Sequence, residues 1–137
     1  KNSTGKRVSS HINRTSFELI IAVIEKTFRI SLENIDIFLS VYGPYDNEKN
    51  SMLTIAAGVL SCFRGKQFNS GQLFFGDFDI HGEINYNNDF LAGLDTGTIP
   101  FHYTLVSSFK YKIASRIKLN HIANIGELDQ LFKNNND

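Results

Sequence analysis

At 137 residues the chain is long enough for one domain with a real core and too short for two comfortable ones. Its 42% hydrophobic and 20% charged content excludes a disordered polymer, and 14 basic against 14 acidic residues exclude attraction to a polyanion through net charge alone. The single cysteine, Cys62, excludes an internal disulfide framework, and the longest apolar run, Leu19 to Ile24, is too short to span a bilayer.

Residues 1–15 are polar and carry Lys1, Lys6, Arg7 and Arg14, which predicts a flexible basic arm. Asn2-Ser3-Thr4 and Asn13-Arg14-Thr15 within it match the acceptor pattern for N-glycosylation. Phe17 to Ile24 is apolar and β-branched, the composition of a buried strand. Ser31 reads as an N-cap, and Leu32, Ile35, Phe38, Leu39 and Tyr42 recur at helical spacing until Gly43-Pro44 stops them. A second helix is predicted from about Ser51 to Phe63, with Met52, Ile55, Ala56, Val59, Leu60 and Phe63 on its apolar side and Gly65 as its stop. Gly58 inside it marks a candidate close helix contact.

From Phe74 the period becomes two. Phe78, Ile80, Ile84 and Tyr86 alternate with Asp77, Asp79, Glu83 and Asn85, as on a strand with an acidic outer face. A loop over 87–100 leads to two further strands, Phe101 to Val106 and Phe109 to Leu119, joined as a hairpin through Ser107-Ser108. Asn124 caps a short last helix with Leu128, Leu131 and Phe132 inward, and residues 134–137 form a frayed tail. The fold class predicted is α+β, with helices packed on a mostly antiparallel sheet in one domain over residues 16–133.

The strand Phe109 to Leu119 holds the most coherent chemistry. Lys110, Lys112, Arg116 and Lys118 occupy alternate positions interrupted only by Ala114, so one face can enter a core while the other shows a row of positive charge. Three readings stay open. The row can pair internally with Asp77, Asp79 and Glu83, where each cross-strand pair contributes roughly 0.2–1 kcal/mol. It can instead meet phosphate or anionic lipid. A basic face on one copy against an acidic face on another would also give head-to-tail assembly.

Catalytic signals are weaker. Asp95-Thr96-Gly97 matches the aspartic-protease triplet, but that chemistry needs a second such Asp, and Asp-Thr-Gly is also an ordinary turn. Leu91-Ala92-Gly93-Leu94-Asp95 resembles the signature helix of LAGLIDADG endonucleases, yet Gly93, Gly97 and Pro100 break it. His11, His81, His102 and His121 are scattered, so no metal or cofactor is expected. Phe68, Phe74 and Phe75 follow Arg64 and Lys66, a combination that suits insertion of apolar groups beneath charged headgroups; burial of Leu73 and Phe75 at the start of a strand is the other reading.

The order of elements resembles the core of rhabdovirus matrix proteins. The likeness rests on an apolar strand followed by Thr27-Phe28-Arg29, a helix ending near Tyr42-Gly43, and a helix closing at Phe63-Arg64-Gly65. Strands after Ile99-Pro100-Phe101-His102 and a short helix with Leu128 and Phe132 complete it. That resemblance implies a non-enzymatic structural protein that self-associates and bridges the viral nucleocapsid to the inner face of the envelope membrane during budding. It would reside in the virion beneath the envelope and at the host cytoplasm and membrane inner face. Its partners would be further copies of itself, an anionic membrane surface, the nucleocapsid and RNA. The binding residues expected are Lys110, Lys112, Arg116, Lys118, Arg64, Lys66, Phe68, Phe74 and Phe75. The alternatives are a nucleic-acid-binding module using the same basic strand and a small aspartic-type hydrolase.

Overall fold

The Asn13 side chain opens the first helix. Its Oδ1 accepts from the Thr15 and Ser16 N–H groups at 2.7 and 3.2 Å, and α1 then runs Arg14–Phe28. This computed structural model describes residues 4–10, 12–40, 50–86, 103–109 and 118–134. Where a strand over Phe17 to Ile24 is expected from composition, α1 stands instead. The reason is visible in its buried residues, since Phe17, Ile20, Ile21 and Ile24 follow the helical period and Val23 widens the stripe. β-Branched residues cost a helix only a few tenths of a kcal/mol each, whereas burying each large apolar side chain contributes about 1.5–3 kcal/mol. Burial wins. Asn13→Ala is expected to lower stability by about 1 kcal/mol, read as a shift of the urea midpoint with unchanged m; no shift would mean the cap is idle.

Strand β1 (Arg7–Ser9), inside the segment read as an arm, pairs in parallel with β2 (Ile37–Leu39), so β1-α1-β2 forms a crossover unit. The helix expected after Ser31 does not form over the described residues of that segment. Its backbone groups are taken elsewhere: the Arg7 guanidinium donates to the Leu32 and Ile35 carbonyls, Glu25 Oε2 accepts from the Leu32 N–H at 2.9 Å, and the Ile37 N–H donates to the Lys6 carbonyl at 2.8 Å. Phe38, a member of the expected apolar stripe, is 67% exposed beside its register partner Val8.

Helix α2 (Met52–Arg64) agrees with its periodicity and ends at Gly65, whose φ of 64° suits a residue without a Cβ. Its first N–H groups are satisfied by tertiary partners: Met52 N donates to Asp77 Oδ1 at 3.2 Å and Leu53 N to the Gly76 carbonyl at 3.0 Å. Gly58 lies exposed with nothing near its missing Cβ, so it marks no close helix contact. Phe63, expected inward, is 38% exposed.

The expected antiparallel sheet is corrected to a mostly parallel arrangement. Strands β3 (Gln72–Phe74), β6 (Thr104–Ser107) and β7 (Lys118–His121) form a three-stranded parallel sheet in the order β3-β6-β7. Ser107-Ser108 therefore cannot be a hairpin turn, and neither serine supplies the positive φ that a two-residue hairpin favours. The antiparallel pair is β4 (Asp77–Phe78) with β5 (Ile84–Asn85), so the alternating run Asp77 to Tyr86 is two short strands and a turn. Asp79 closes that turn by accepting from the His81 and Glu83 N–H groups, which leaves Ile80 at its tip 59% exposed. Gly82 sits there at φ 80°, where a Cβ would lie 3.0 Å from Asn124 Oδ1.

The two faces of the parallel sheet differ. Val106 and Phe74 belong to the main core with α1, α2 and the 3-10 helix Ile125–Leu131, whose first turn carries a capping box between Asn124 and Glu127. On the opposite face Leu73, Leu105 and Leu119 align in register across the three strands and pack with Phe75, Tyr86 and Phe109.

Candidate functional site

The cationic row is divided by the described structure. Lys118 opens β7 at the edge of the sheet, is exposed, and has Thr104 as its register partner. Lys110, Lys112 and Arg116 lie outside the described residues, as do Asp95-Thr96-Gly97, Leu91 to Asp95, His11 and His102. Two of the three acidic residues proposed to neutralise the row are engaged elsewhere. Asp77 holds the start of α2, Asp79 holds its own turn, and their hairpin belongs to a different sheet from β7. Among the described residues, Lys118 thus faces no carboxylate in its ladder.

The second group of expected site residues comes together around the end of α2. Arg64 donates from Nε and Nη2 to the two carboxylate oxygens of Asp129 at 3.2 and 2.9 Å. Its Cζ also lies 6.0 Å from the Phe28 ring centroid and 5.8 Å from that of Phe63, within the range of cation–π attraction. This partly exposed pair contributes of order 1 kcal/mol or less, so its main effect is to hold the guanidinium in one orientation. Lys66 is exposed just beyond Gly65.

The three phenylalanines are set inward of these cations. Phe68 stacks on Phe132 at 4.3 Å between centroids and meets Phe74 edge-on at 5.0 Å. Phe74 packs against the main core, and Phe75, 9% exposed, lies 5.5 Å from Phe109. Sequence reasoning misses Phe28, Phe63 and Asp129 as neighbours of Arg64. The helix stop at Phe63-Arg64-Gly65 is a local signal for Phe63 alone, whereas Phe28 belongs to α1 and the contact with Asp129 spans 65 positions.

Among the described residues no group of three His, Cys, Asp or Glu side chains could hold a metal ion, and no helix is long and apolar enough to cross a membrane. Cys62 is an exposed free thiol on α2.

No protein-family model matches the chain. It is similar to the DNA repair protein RadA of Campylobacter jejuni, 24% identical over 85 residues that cover 61% of this chain and 19% of that protein. RadA of Listeria monocytogenes is 32% identical over 80 residues, covering 58% of this chain and 18% of the relative. RadA of Rickettsia bellii is 34% identical over 74 residues, covering 53% and 16%. These similarities overturn the rhabdovirus matrix resemblance, and with it nucleocapsid bridging, budding and a place in the virion or at the envelope's inner face. The fold explains the error: the apolar strand of that resemblance is α1, its first helix is a turn leading into β2, and its final strands are parallel. The chain spans less than a fifth of the length of these bacterial DNA repair proteins, to a part of which it is similar.

Proposed function

We propose that this chain is a non-enzymatic nucleic-acid-binding module that takes part in DNA transactions. The observation that carries the reading is its similarity, over more than half its length, to proteins named for DNA repair. Chemistry supports it through Lys118, which stands exposed on an edge strand without a carboxylate partner in the described ladder, and through Arg64 and Lys66 at the end of α2. Because the whole chain carries no net charge, attraction to phosphate must come from such local surfaces. The main chemical event is counterion release: each phosphate neutralised by a Lys or Arg frees condensed cations, and affinity then falls as salt rises.

Fluorescence anisotropy with labelled DNA across a salt series tests this. Affinity is expected to fall linearly on logarithmic axes, and replacing Lys110, Lys112, Arg116 and Lys118 together by Gln is expected to weaken binding and flatten the slope. Every phosphate left without its cation reduces the slope by about 0.7–0.9. DNA affinity that ignores salt, or a quadruple variant identical to wild type, would remove the basic row from the mechanism.

A further inference from the structure

We propose that the shared C-terminal end of α1 and α2 is a stacking site for single-stranded nucleic acid, with Phe63 as the platform and Arg64 and Lys66 as phosphate contacts. This rests on the nucleic-acid reading above and adds to Lys118 of β7 a second set of contacts on other elements.

Three features combine at this spot. The first is an aromatic ring left in solvent: Phe63 is 38% exposed at the end of a helix whose other large apolar residues turn inward. The second is a fixed cation, because Asp129 holds the Arg64 guanidinium from one side while the rings of Phe28 and Phe63 lie near it. The third is a local surplus of positive charge. Arg29 follows Phe28 directly and is exposed, Lys66 is exposed past the end of α2, and the Lys133 N–H bonds the Gln67 carbonyl, bringing a further exposed lysine to the same end.

The nearby negative charges do not cancel this surplus. Each helix C-terminus contributes about −0.5 charge, Asp129 contributes one more, and Lys26 offsets Glu25 in the last turn of α1, so about two positive charges remain. Cations at helix ends are ordinarily explained by the helix dipole alone. That explanation covers Lys26, Arg29 and Arg64 but gives no reason for a solvent-facing Phe between Cys62 and Arg64. An aromatic face beside cations has the composition of a site that stacks one base and neutralises its flanking phosphates. A duplex keeps its bases stacked on each other, so it offers this ring nothing. Single strands are therefore the form that uses all three features.

The test uses the full chain with a labelled oligothymidylate, an abasic oligonucleotide of the same length and a duplex. Phe63→Ala is expected to weaken oligothymidylate binding about tenfold while leaving abasic and duplex binding within twofold. Lys66→Gln, a surface change that leaves the ring in place, is expected to lower the salt slope by about 0.7 on the single strand. Circular dichroism melts of both variants check that they fold. Oligothymidylate affinity unchanged in both variants overturns the stacking site while leaving the nucleic-acid reading intact. Absence of any nucleic-acid binding by wild type at low salt overturns both. Equal weakening on all three ligands in Phe63→Ala also overturns the stacking site, because a merely structural role would act on every ligand alike.

Discussion

Phe17→Ala is expected to remove about 3–5 kcal/mol of stability, the largest effect of any single truncation proposed for this chain. Phe17 is fully buried in the first turn of α1 and belongs to the main core with Ile20, Leu53, Leu60, Ile125 and Leu128. Deleting the ring removes its transfer free energy and leaves a cavity that the rigid helix pair cannot fully close. A domain of this size has about 5–15 kcal/mol in total, so roughly a fifth or more of it would be lost. Urea denaturation with paired wild-type and variant fits reads the change. A midpoint within error of wild type would mean that α1 is not docked as described.

Phe68→Ala is expected to cost about 2–3 kcal/mol, less than a fully buried ring because Phe68 is only half-buried. Its ring stacks on Phe132 and touches Phe74 edge-on, and Phe68 and Phe132 also form an isolated antiparallel bridge. Together with the Lys133 N–H bonded to the Gln67 carbonyl, these contacts fasten the chain after the 3-10 helix to the segment following α2. The variant should therefore lose stability and expose the segment around Lys133 to trypsin sooner than wild type. Lys66→Ala, two residues away and exposed, should change stability by no more than about 0.5 kcal/mol. Equal stability of Phe68→Ala and wild type, with unchanged cleavage, would argue that the ring serves a partner instead of the fold.

The contrast between Phe68 and Phe63 shows how surface and interior are confused at the level of sequence. Both sit near Arg64, and both are apolar residues close to cations. Composition suggests that Phe68, Phe74 and Phe75 project toward a partner and that Phe63 points into the helix interface. The described structure has the first three packed against other rings or the core and Phe63 partly in solvent. The difference arises because Phe132 and Lys133, far along the chain, return to meet Phe68 and its neighbour Gln67. Nothing within a window of ten residues carries that information.

Local signals are legible where local forces decide. Helix α2, its stop at Gly65 and the Asn124 cap of the last helix can be read directly because a 3.6-residue apolar period, a positive-φ glycine and a capping box act within one or two turns. The mixture of helices and strands is legible for the same reason. Tertiary structure alone decides the rest. It turns the β-branched run Phe17 to Ile24 into α1, because five buried side chains outweigh a small propensity penalty. It makes β2 from a segment with helical spacing, because Arg7 and β1 take the backbone groups a helix would have used. It also sets β6 and β7 parallel, a choice that depends on which strands meet and not on the alternation within either one.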